Sequence, residues 1–98
     1  MIEVCHVEVR PGYHLLLRFN NGESRLFDME PYLKYSVFKR LQNPVVFSLA
    51  QVNYGTVTWP GAIDIAPETL YGQSISFKKT KDYADATTSI EKKNPSQN

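Results

Sequence analysis

His14-Leu15-Leu16-Leu17-Arg18-Phe19-Asn20-Asn21-Gly22-Glu23-Ser24-Arg25-Leu26-Phe27 places two runs of strand-forming residues on either side of Asn21-Gly22. Asn-Gly between such runs is the strongest short hairpin signal a sequence carries. Upstream, residues 2–9 alternate in part, with Val7 and Val9 in one phase and Ile2 and Val4 in the other. That pattern predicts a strand with some burial on both faces, and Pro11-Gly12 turns it into the next. The expected unit is a three-stranded antiparallel meander. With Asn21 and Gly22 as a two-residue type I′ loop, Phe19 opposes Ser24, Arg18 opposes Arg25 and Leu17 opposes Leu26. Directly opposed like charges are destabilising, and Glu23 on the diagonal can offset them. Two readings of Arg18 and Arg25 stand: a solvated charged edge, or an anion or phosphate contact.

Past Phe27 the period changes. Asp28-Met29-Glu30-Pro31-Tyr32-Leu33 reads as a capped single turn with Pro early and acids at its N-terminus. Ser36 is placed to cap a short helix burying Val37, Phe38 and Leu41, and Asn43-Pro44 to cap another that offers Val46, Phe47 and Leu49 to the core. From Gln51 to Trp59 the apolar phase flips at Gly55. One bent strand with a glycine bulge fits, and so does a hairpin turning at Tyr54-Gly55; Tyr is a poor first residue for a type I′ turn, which favours the bulge. Ala66-Pro67-Glu68-Thr69-Leu70-Tyr71 reads as a helical turn ended by Gly72. Ile75 to Phe77 completes the domain as a short edge strand. The expected class is α+β in two layers: an antiparallel sheet of the meander plus one or two later strands, with short helices on one face.

This divides the 98 residues into a single domain, 1–77, and a polar tail, 78–98, too poor in large apolar residues to offset its ordering entropy. Up to Phe77 there are six Lys/Arg against seven Asp/Glu, and the whole chain carries +1. Nucleic-acid binding neutralises several phosphates at once; this charge balance gives it no support beyond a local patch such as Arg18, Arg25 and the tail lysines. Cys5 is alone, no charged-then-apolar leader opens the chain and no apolar run spans a bilayer, so a cytoplasmic setting without membrane insertion is the expectation.

The succession Phe27-Asp28, Pro31-Tyr32-Leu33, Val37-Phe38-Lys39 with Leu41, Phe47, Val57-Thr58-Trp59-Pro60, Asp64-Ile65-Ala66-Pro67-Glu68 and Leu70-Tyr71 resembles a bacterial family, domain-of-unknown-function family 2442, over residues 1–77. The resemblance implies a two-layer α+β domain, in some members joined to a helix-turn-helix domain, and no established activity. Many members read Trp-Pro-Asn-Gly before the aspartate, whereas Trp59-Pro60-Gly61-Ala62-Ile63-Asp64 has its glycine one position earlier. The residues after Phe77 are too few for a helix-turn-helix attachment, which removes the family-based argument for DNA binding.

Chemistry is sparse. Cys5 and His6, as strand neighbours, point to opposite faces. With a two-residue loop at Pro11-Gly12, His14 opposes Val9 and His6 opposes Leu17, which sets the histidines roughly 10 Å apart on opposite faces. No metal, cofactor or catalytic residue is expected, and no Cys-x-x-Cys, His-Glu-x-x-His or glycine-rich phosphate loop occurs. Asp64, between Ile63 and Ile65, must reach solvent or be paired. Structurally, it would accept backbone N–H groups near Pro67 and hold the turn into the last helix. Functionally, Trp59, Pro60 and Asp64 would line one partner-binding surface, with the indole as anchor. The expected function is a small protein-interaction module, regulatory or antitoxin-like, with a nucleic-acid-binding regulator as the alternative and homo-oligomerisation through an edge strand as a further route to association.

Overall fold

The computed structural model describes residues 1–78, so the expected tail lies, from residue 79 on, outside the described residues. Its elements are β1 (Val4–Arg10), β2 (His14–Phe19), β3 (Ser24–Asp28), 3₁₀ segments at Glu30–Tyr32 and Ser36–Gln42, α1 (Pro44–Phe47), β4 (Gln51–Asn53), β5 (Thr56–Trp59), β6 (Ile63–Ile65), α2 (Pro67–Gly72) and β7 (Ile75–Ser76). The fold is α+β with antiparallel sheets. The meander forms, as expected, and β7 joins it beside β3 in the order β1-β2-β3-β7. The remaining strands make a sheet of their own, β4-β5-β6, rather than adding to the meander.

Both meander registers differ by one residue from the two-residue-loop expectation. Arg10 faces His14, and Arg18 faces Ser24 with Leu17 against Arg25. Each loop holds three residues. Phe19 N donates to Glu23 O and Gly22 N to Phe19 O, both at 2.9 Å, with Gly22 at φ 88; this is a type I turn closed by a left-handed glycine. The physical reason lies in Phe27. The two-residue register would pair Phe27 with Leu16, away from Leu15, Leu17 and Phe19, whereas the observed one pairs it with Leu15 and buries all four. A slip by one residue exchanges the faces of a strand, so Arg18 and Arg25 lie on opposite faces. By the same slip His6, opposite Arg18, and His14, opposite Arg10, share the outer face, four positions or ~13 Å apart along the strands. A bulge between Val4 and His6 places Val4 and Val7 in one phase and removes the strict alternation that would separate Cys5 from His6.

Residues 51–59 form the hairpin and not the bulged strand. Asn53 pairs with Thr56, and Tyr54 and Gly55 take φ 56 and 74, both positive as type I′ requires. Gly55 O accepts from Val4 N at 2.9 Å, which ties the hairpin tip to β1 and compensates for tyrosine in a left-handed position. The caps divide. Asn43 Oδ1 accepts from Val45 N at 2.9 Å and Val46 N at 3.4 Å, as expected. Ser36 caps nothing: the preceding Tyr35 is the terminal residue and makes no side-chain cap. Asp28 Oδ1 instead accepts from Glu30 N at 3.0 Å.

One core unites the sheets. Val4, Leu15, Leu17, Phe19 and Phe27 from the meander pack with Val57, Trp59, Ile63 and Ile65 from the second sheet, and Met29, Leu33, Leu41, Phe47 and Leu70 fill the space between. Val37 and Leu49 stay exposed, contrary to their expected burial. In a 3₁₀ helix of three residues per turn, Phe38 and Leu41 stack on one side and Val37 is turned away.

Candidate functional site

Trp59 is 3% exposed. Its indole N–H donates to Phe47 O at 2.9 Å and its ring stacks on Phe47, centroids 5.9 Å apart. It is therefore a core residue that pins α1 to β5. Pro60 is exposed in the β5–β6 loop, and Asp64 is exposed in β6 while its neighbours Ile63 and Ile65 are buried. Asp64 faces Thr58 across the ladder, whereas Trp59 faces Ile63, so the indole and the carboxylate lie on opposite faces of the sheet. Nor does Asp64 hold the turn into α2, whose N-terminus has no side-chain cap. Among the described residues its carboxylate makes no ion pair.

What Asp64 does border is a groove of 570 Å³ lined by Tyr32, Tyr35, Val37, Phe38, Asp64 and Ile65, among others. The groove runs between the 3₁₀ segments and β6. Tyr35 is 52% and Val37 61% exposed. Arg40 Nη2 donates to Gly61 O at 3.2 Å and links the second 3₁₀ segment to the β5–β6 loop. Tyr32 is held from behind by stacking on buried Phe27, centroids 5.3 Å apart. Among the described residues Asp64 is the only charged group in the lining. Among the described residues the arrangement offers an apolar trough with one unneutralised carboxylate at its side.

The arginines are differently placed. Arg25 faces the core side and is fully engaged: Nε donates to Ser74 Oγ at 2.7 Å, Nη2 to Ser74 O at 2.7 Å and Nη1 to Glu23 Oε1 at 2.9 Å. Its guanidinium sits 4.6 Å from the Tyr71 ring centroid. Tyr71 donates its hydroxyl to Glu23 Oε2 at 2.9 Å. These hydrogen bonds, Tyr71 first and Arg25 next, hold the Glu23 carboxyl below its ordinary value of 4.5. Arg18 lies on the outer face beside His6, Glu8 and Phe77. His14 shares that face, 3.9 Å from Asp28, and belongs to a different sheet from Asp64. No cluster of three or more His, Cys, Asp or Glu among the described residues is close enough to hold a metal, and none of their helices is long and apolar enough to cross a membrane.

The family model described as "Protein of unknown function (DUF2442)" matches residues 4–76. The chain belongs to the DUF2442 family. That span takes in every strand and helix of the described residues, from β1 to β7. No curated protein and no solved structure matches. Of the groove, the family-like residues Tyr32, Val37, Phe38, Asp64 and Ile65 are prominent in the sequence, but their proximity is not. The usable signal is the 3₁₀ period, which predicts that Val37 cannot be buried on the side that buries Phe38 and Leu41.

Proposed function

We propose that this DUF2442 chain is a small cytoplasmic protein-interaction module that docks a partner protein in the groove between the 3₁₀ segments and β6. The observation that supports this reading is the pairing of an exposed apolar trough with an Asp64 carboxylate that makes no ion pair among the described residues. Apolar area gains free energy when a partner covers it, and a carboxylate at its side favours a partner that brings a cation. A regulatory or antitoxin-like role rests on family-level association. The nucleic-acid reading finds less to stand on, because Arg25 is committed to Glu23 and Ser74 while Arg18 shares its face with Glu8 and Asp28.

Val37 and Asp64 are both exposed, so changing them tests the surface without emptying the core. Tagged protein recovered from its native cells is expected to bring down a protein that Val37→Glu loses at least tenfold. Arg18→Ala, on the outer face of the other sheet, should retain it. Equal recovery by the wild type and Val37→Glu would exclude the groove. Recovery of nucleic acid that Arg18→Ala abolishes would favour the other class.

A further inference from the structure

Beside the groove runs a strand edge. β6 is the outer strand of its sheet, and its three residues pair with β5 as Trp59–Ile63, Thr58–Asp64 and Val57–Ile65. The three-residue loop Pro60-Gly61-Ala62 closes on Trp59–Ile63, as the loop after Phe19 closes on the hydrogen-bonded pair Phe19–Glu23. In an antiparallel ladder hydrogen-bonded and non-hydrogen-bonded pairs alternate. Thr58–Asp64 is then the non-hydrogen-bonded pair, and the N–H and C=O of Asp64 point away from β5, at the sheet edge whose Asp64 and Ile65 line the groove. Among the described residues neither group has a partner in the turns and loops. Among the described residues an unpaired backbone donor and acceptor, an apolar trough and a carboxylate without an ion pair thus converge on one residue.

We infer that the β6 edge takes an extended segment of a partner protein with the pattern apolar–basic–apolar, which adds a fourth strand to the β4-β5-β6 sheet. This rests on the groove reading above and specifies its ligand. Strand addition exploits the main-chain groups for affinity and the alternate side chains for specificity. The residue opposite Asp64 shares its outward face, where a lysine or arginine meets the carboxylate. Its two neighbours turn inward with Ile63 and Ile65, toward Phe38 and Tyr32. The length agrees, since Gly61 with Arg40 at one end and the first turn of α2 at the other leave Ile63 to Ala66, room for three or four extended residues at ~3.3 Å each. A second copy of β6 is a poor occupant, because two-fold pairing centred on Asp64 sets two carboxylates face to face.

A displayed library of random heptapeptides selected on immobilised protein tests the pattern. Wild type should enrich apolar–Lys/Arg–apolar triplets, Asp64→Lys should enrich apolar–Asp/Glu–apolar triplets, and Val37→Glu should enrich neither. Retained Trp59 emission verifies that both variants fold. With a selected peptide bound, amide exchange at Asp64 should slow at least tenfold, and N-methylation of the peptide residue opposite Asp64 should abolish binding. Groove-binding peptides that lack the basic residue, or that leave Asp64 exchange unchanged, would overturn strand addition and leave the docking groove standing. Failure to enrich anything, or the same sequences on wild type and Val37→Glu, would overturn both.

Discussion

Ala62 occupies a conformation that suits glycine. At φ 61 it lies in the left-handed region, which costs an L-residue with a Cβ roughly 1–2 kcal/mol. The neighbouring glycine stands one place earlier, as Gly61 at φ 89. Pro60-Gly61-Ala62 repeats the geometry of Pro11-Gly12-Tyr13, where Gly12 has φ 77 and Tyr13 φ 61. Tyr13, however, is held in place: its hydroxyl donates to Gln42 O and its ring meets Phe47 edge-on at 5.2 Å. Ala62 is exposed and has no such compensation. Ala62→Gly relieves the strain at the expense of a more flexible unfolded chain, about 0.4–1 kcal/mol, for a net gain of ~0.5 kcal/mol. A melting temperature raised by roughly 2–4 °C is the expected outcome, and calorimetry reads it. Gly61→Ala should lower it, since the added Cβ would meet a positive φ and the Arg40 guanidinium. A lower melting temperature for Ala62→Gly would mean that the loop is not strained.

The elements are joined by side chains whose partners lie far along the chain, and this separates what sequence discloses from what it conceals. Asn43-Pro44 names its own role because a cap is local, and so do Pro67 and the strands of the meander. Loop length is less local. Asn21-Gly22 signals a turn, but the third loop residue is decided by where Phe27 must go. Arg25 is further still from legible: an inward-facing charge makes sense only with Ser74, 49 residues away, and with Tyr71 and Glu23. Asp64 likewise lost its expected turn-holding role, since its carboxylate points outward from β6 and leaves the N-terminus of α2 uncapped. The Glu23 clamp fastens the β2–β3 turn to α2 and gives a pH signature. Its carboxyl titrates lower folded than unfolded, so the folded state binds fewer protons in that range. The clamp's stabilisation is therefore complete above the ordinary value of 4.5 and lost as pH falls through the depressed folded value. Glu23→Gln should lie below wild type in melting temperature at neutral pH and converge on it under acid. Parallel curves for the two proteins would show that the clamp does not couple protonation to folding.

At the scale of the whole molecule the question is whether two sheets make one folding unit. They are separate ladders, yet their inner faces feed a single cluster in which Leu17 and Phe19 meet the same interior as Val57 and Trp59. A domain of this size has roughly 4–12 kcal/mol of stability at 0.05–0.15 kcal/mol per residue. Among the described residues neither sheet has a second core to fall back on. Trp59, buried in the second sheet and bonded to α1 through Phe47 O, reports one side by its fluorescence, while far-UV circular dichroism weights all the strands and helices. Leu17 is fully buried in the meander, and Leu17→Ala costs about 2–5 kcal/mol. If the core is shared, this substitution in one sheet must loosen the tryptophan in the other. Urea curves of Leu17→Ala followed by emission and by circular dichroism should then shift together to lower denaturant, with coincident midpoints and an unchanged slope. A Trp59 transition that stays at the wild-type midpoint would show instead that the β4-β5-β6 sheet, and with it the groove beside β6, holds its shape independently of the meander.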